Sequence, residues 1–223
     1  MSNPAYTAGQ PPAVLVMTLN DPGWLNDMYK SLFSSLSKHA ILKHVENPRE
    51  AVEYLDNHHP VAVLVTDPSI REPKNSSALQ RLKEYISGGG TAIFACMFSS
   101  FIRPPDFNAF FSSQFDLPWE FGEYQRTTVH LNPATAEKLK AKNSLPEAYS
   151  QKAVFVKNAK AGEALYLPSG ETGVESRVFS PTAVSQTEPA VAWANVGNGW
   201  VGYIGDANGE EGSNGVILAM CGF

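Results

Sequence analysis

Residues 79–98 constrain this chain more than any other stretch. An amphipathic helix carrying Leu79, Leu82, Tyr85 and Ile86 inward runs into Gly88-Gly89-Gly90, and an apolar strand, Ala92-Ile93-Phe94-Ala95, follows and ends at Cys96. Glycine stops a helix because it accepts the left-handed backbone that closes the last turn. A strand that is apolar on both faces must be covered on both, as in the middle of a parallel sheet flanked by helices. Ligands of such sheets bind beyond the carboxyl ends of the strands, so Cys96 falls where chemistry is expected.

The same alternation precedes this stretch. Residues 13–19 (AVLVMTL) read as a buried strand, and the turn Asn20-Asp21-Pro22-Gly23 leads into a helix over 24–38 whose stripe is Leu25, Met28, Leu32 and Leu36. Residues 41–45 form a second strand, 48–57 a helix opened by Pro48, and 61–66 (VAVLVT) a third strand. After Phe98 the pattern changes. Residues 99–119 are dense in Phe and Pro, and could be a lid or an extension of the core. Strands are expected near 124–132, 153–157, 164–167, 190–196 and 200–204, with a hairpin turn at Gly197-Asn198-Gly199 and a last helix over 216–221. The expected fold is α/β: a flavodoxin-like, doubly wound, mostly parallel sheet with helices on both faces and a small antiparallel extension. One domain is expected over 13–223 behind a flexible tail over 1–12.

Composition narrows the function. The 223 residues are 43% hydrophobic and 17% charged, which suits one sizeable core, and the net charge of -5 without a basic run argues against nucleic acid as a partner. No apolar run approaches the ~18 residues of a membrane span, and the first residues carry no basic-then-apolar leader, so a cytoplasmic location is expected. Cys96 and Cys221 offer no disulfide framework. The chain lacks H-x-x-x-H and C-x-x-C spacings and the glycine-rich nucleotide motifs, so no metal and no cofactor is expected.

Two regions carry candidate chemistry. Cys96 sits at a strand-to-helix junction, where a nearby helix start would favour a thiolate, although Met97 and Phe98 beside it are bulky and a buried inert thiol is the plainer alternative. Residues 205–215 (GDANGEEGSNG) follow the last strand and bring Asp206, Asn208 and Glu210 to the same edge, as polar or acid–base partners or simply as turn and cap residues. His130 would serve as a base only if the fold brought it to Cys96. Asn20, Asp21 and Asp67 follow the first and third strands, while Phe98, Trp119 and Arg126 could wall a ligand. Two functions stay open: a small-molecule site with catalysis through Cys96, Asp206, Glu210 and His130, or an inactive binding module that contacts a partner or a second copy as a homodimer.

The helix ending in YISGGG, the strand that closes at Cys96, and the terminal GWVGYIGDANGEEGSNG together resemble the class I glutamine amidotransferase-like superfamily, including its ThuA-like and cysteine-elbow hydrolase branches. The resemblance covers residues 13–98 and the closing segment, and the whole chain is similar to a group of fungal proteins sharing the GD-x-NGEEGS ending. It implies that Cys96 occupies the nucleophile position. In the amidotransferases that elbow reads G-x-C-x-G and a later strand ends in His-x-Glu; this chain has Phe94-Ala95-Cys96-Met97-Phe98 and Gly205-Asp206 instead. The resemblance therefore implies the fold and a hydrolase-type site, but not a glutaminase.

Overall fold

The computed structural model describes residues 11–175 and 182–223; of the tail expected over 1–12, residues 1–10 lie outside the described residues. Strands β1 (Ala13–Met17), β3 (Ala62–Val65) and β4 (Thr91–Phe94) are buried along almost their full length, with β2 (Ile41–Val45) outside β1 and β9 (Gly199–Ile204) beside β4. All four pairings among these strands are parallel. Their side chains alternate between two apolar layers. Val14, Val16, Leu64 and Ile93 pack with α1 (Leu25–Met28), α2 (Lys30–Ser37) and α8 (Glu211–Cys221). Leu15, Met17, Val63, Val65 and Phe94 pack with α3 (Pro48–Asn57), α4 (Ser76–Ser87) and α6 (Pro104–Phe115).

Local chemistry explains most of these boundaries. Asn47 caps α3 by accepting from the Glu50 amide, and Pro48 at the first turn needs no donor. The single helix expected over 24–38 is instead two, separated at Tyr29, whose ring turns inward against Gly209. The Phe-rich segment belongs to the core. Phe107, Phe110, Phe111 and Phe115 of α6 are buried with Phe94, Phe98, Trp119 and Tyr203 in a set of edge-to-face and tilted ring contacts, the geometry that aromatic quadrupoles favour.

The expectation of a mostly parallel, flavodoxin-like sheet is corrected. The sheet has nine strands in the order β2-β1-β3-β4-β9-β8-β7-β5-β6, and everything beyond β9 is antiparallel: β5 (Glu120–Leu131), β6 (Ala148–Lys157), β7 (Ala164–Pro168) and β8 (Val191–Val196). The physical reason lies in the connections. A parallel neighbour needs a crossover of a dozen residues or more, whereas β8 and β9 are joined by Gly197-Asn198 alone, with Gly197 at φ +61°. The antiparallel part is a full half of a mixed sheet rather than a small extension.

That half also curls back. Beyond its ladder to β5, β6 reaches the far end of β9, where Val154 N donates to Gly205 O and Ala207 N to Lys152 O, and the segment before β8, where Val156 N donates to Pro189 O. A Cβ at Gly205 would lie 2.0 Å from Val154 O, so only glycine permits this approach. The β5–β6 hairpin therefore covers the carboxyl end of β9.

Candidate functional site

The strand-to-helix junction at Cys96 is strained. Cys96 lies at φ +60°, ψ -123°, directly before α5 (Met97–Phe101), a conformation that costs a side-chain-bearing residue about 1–3 kcal/mol. The other non-glycine residues with positive φ among those described are Asp116 and Asn158, types that tolerate it. Hydrogen bonds hold the junction on both sides: Ala95 N to Val65 O, Phe98 N to Ala95 O, and Ser99 Oγ to Asp206 O at 3.1 Å.

The thiol is closed off. Cys96 is 3% exposed, and burial, with a smaller contribution from the nearby Asp206 carboxylate, pushes its pKa far above that of a free thiol. Tyr29 lies beside it; burial first, then Cys96 and Asp206, raises its phenol as well. Asp206 is itself raised, chiefly by burial, against the lowering effect of its hydrogen bonds. Its Oδ1 accepts from Asn208 N at 2.8 Å and its Oδ2 from Glu210 N at 2.7 Å. Tyr149 of β6 also interacts with the Asp206 carboxylate, and its Oη accepts from Gln151 Nε2 at 3.1 Å. Tyr29 Oη and Gln151 Oε1 are buried without a hydrogen-bond partner. Cys96, Tyr29, Asp206, Tyr149 and Gln151 thus form one packed polar cluster beneath the segment after β9.

Residues 208–210 form its outer side. Glu210 pairs with Arg126 of β5, both side chains about one-third exposed at 28% and 32%, and Asn208 lies against the same pair. Arg126 also donates to Ser150 Oγ at 3.3 Å. His130 is elsewhere: it is exposed on β5, opposite Ala148 and Leu167. Phe98 and Trp119 lie in the aromatic core, where Trp119 Nε1 donates to Glu163.

A second feature opens at the carboxyl ends of β1, β3 and β4. A cleft of about 250 Å³ is lined by Asn20 and Pro22, by the segment from Asp67 to Glu72, and by Met97 and Phe101. α2 lies on one face and α3 and α4 on the other, so the cleft sits where the chain's winding reverses between β1 and β3. Asp67 shapes its floor, accepting from Leu19 N at 2.7 Å and Ser69 N at 2.9 Å. Arg71 pairs with Asp106 at 3.1 Å, and its Nε is buried without a partner. Asp21 lies outside the lining, exposed and accepting from Gly23 N. Reading the sequence missed Arg71 and the cluster's Tyr29, Tyr149 and Gln151. Arg71 had a signal, four residues past Asp67 at a strand's carboxyl end; Tyr29 had only a possible place in the apolar stripe of the 24–38 helix, and Tyr149 and Gln151 had none, because they lie outside the strands expected from alternation. Among the described residues no group of three or more His, Cys, Asp or Glu could hold a metal ion, and no helix is long and apolar enough to cross a membrane.

No protein-family model matches the sequence, and no curated protein matches it. Solved structures do. A putative ThuA-like protein from Bacteroides uniformis superimposes with a TM-score of 0.56 at 13% identity, covering 98% of this chain and 94% of that one. A second putative ThuA-like protein, from Parabacteroides merdae, gives 0.55 at 13% identity over 95% and 89%. A β-galactosidase from Bacillus circulans gives 0.58 at 14% identity, over 94% of this chain but 30% of the enzyme. At such identities the likeness is one of fold: this chain has an amidotransferase-like α/β fold.

Proposed function

We propose that this protein binds a small polar molecule in the cleft between the β1, β3 and β4 loops, and that in the closed form described here it works as a binding protein. The observation that carries this reading is the coincidence of a cleft with the point where the winding reverses, lined by an arginine whose Nε is buried without an acceptor. An unpaired buried donor favours a ligand that supplies an oxygen. At about 250 Å³ the space suits a metabolite smaller than a nucleotide, since drug-sized pockets run to roughly 300–1,000 Å³.

The test is amide NMR against a library of small hydroxy acids, polyols and amino compounds. Binding should shift Asn20, Ser69, Arg71 and Met97 together and weaken at least tenfold in Arg71→Met, in line with about 1.5–3 kcal/mol for a hydrogen bond to a charged group. Shifts clustered elsewhere would overturn the assignment. The strained backbone at Cys96 favours a second reading, a cysteine-dependent hydrolase whose thiol reacts only when uncovered. Turnover of ester or amide probes that disappears in Cys96→Ser would establish it.

A further inference from the structure

We infer that residues 208–210 are a lid, latched to β5 by the Arg126–Glu210 ion pair, which opens to admit solvent and small reagents to the packed polar cluster of Tyr29, Cys96 and Asp206. The proposal concerns residues that do not line the cleft and stands independently of ligand binding there.

Three observations converge on it. First, the lid is held by few groups. The Asn208 and Glu210 amides both donate to the one Asp206 carboxylate, the Glu210 side chain is held by Arg126, and the Glu210 carbonyl accepts one bond of 3.3 Å from Asn214 N where α8 begins. The segments on either side are fixed more firmly: before it, Gly205 bonds to both Val154 and Ala190 and Ala207 to Lys152, and after it Glu211 begins α8. A short segment anchored at both ends is placed to swing as a unit. Second, Gly209 sits at φ +68° where a Cβ would come 3.2 Å from the Tyr29 ring, giving the middle of the segment a residue that tolerates large backbone change and lies next to the polar cluster.

Third, closure leaves polar groups unsatisfied. Tyr29 Oη and Gln151 Oε1 are buried without partners, a cost that water relieves once the lid lifts. The closed form is therefore opposed from inside by unmet hydrogen bonding and maintained from outside by the latch. Such a balance defines a two-state element whose position a modest change of charge can shift. The polar cluster and the strained elbow then become a site only in the open state.

The reaction of Cys96 with 5,5′-dithiobis(2-nitrobenzoate) measures opening, with Cys221→Ala in the background so that one thiol reports. In native protein without denaturant, labelling should be slow, should speed up with added salt as the latch is screened, and should rise about two- to fivefold in Arg126→Ala and in Glu210→Gln, the scale expected for a partly exposed ion pair. The exchanged pair, Arg126→Glu with Glu210→Arg, should return the rate toward that of the parent. The proposal is overturned if labelling carries the urea dependence of global unfolding in every variant, because Cys96 is then reached only through unfolding. It is equally overturned if salt and the latch variants leave the rate unchanged. The salt series uses the parent chain alone, so the outcome does not hinge on any variant folding.

Discussion

Asp206 shows how one residue serves two ends. As a carboxylate it organises the segment after β9 by accepting two backbone amides, yet it sits beside Cys96 and Tyr29 in a buried place that disfavours its charge. Desolvation is the larger influence, so the folded protein holds the proton more tightly than the unfolded chain does. The sign follows. A carboxyl whose folded pKa is raised contributes stability that is complete below its ordinary unfolded value and is lost as pH climbs through the folded value. In Asp206→Asn this slope is removed. Urea unfolding from pH 4 to pH 7 should therefore show the stability advantage of the parent over Asp206→Asn shrinking as pH rises; an advantage that grows with pH would contradict the burial argument. Cys96 and Cys221 share the same physics, since burial raises both thiols, Cys221 to about 12. The sequence located Cys96 at a strand end correctly, but its local pattern was equally compatible with an open thiol and a closed one. The difference lies in Asp206, Tyr29 and Tyr149, which are distant in sequence.

Among elements, α6 departs most in role from its appearance. Its run of phenylalanines reads equally well as a lid or as a core, and the structure places Phe107, Phe110, Phe111 and Phe115 on the sheet. Phe111 touches the rings of Phe94, Trp119 and Tyr203 and is fully buried. Truncating it leaves a cavity that its neighbours, themselves ringed in, fill poorly. Phe111→Ala should cost about 3–5 kcal/mol in denaturant unfolding with an unchanged m-value; a loss under about 1 kcal/mol would show that this layer relaxes freely. By contrast, Phe101 at the end of α5 is 59% exposed, meets Trp24 at 6.2 Å and lines the cleft, so it belongs to the cleft's rim. Helix α3 was legible residue for residue, because Asn47, Pro48 and the periodicity are all local signals. The break at Tyr29 was not, because the inward turn of that ring depends on Gly209.

For the whole molecule, the mixed sheet sets a gradient of protection. β3 and β4 have strands on both sides and helices on both faces, whereas β2 is an edge strand with Ile41 55% exposed. Native-state hydrogen exchange should find the amides of β3 and β4 opening only with global unfolding, and those of β2 opening through smaller, sub-global events. Equal protection across the sheet would mean that the two halves unfold as one unit without an independent edge. By itself the sequence determined the parallel half, because apolar runs, caps and glycine stops are local and each acts within a few residues. It also determined that the loops after the first and third strands and Cys96 share one edge, since parallel strands point their carboxyl ends the same way. Only the tertiary structure decided that the antiparallel strands form half of the sheet and that β6 returns across Gly205. Strand neighbours separated by some 50 residues are chosen by packing and by backbone hydrogen bonds that leave no mark in local periodicity, and that choice brings Asp206 and Tyr149 together with Cys96 while the cleft lined by Met97 and Phe101 stays open.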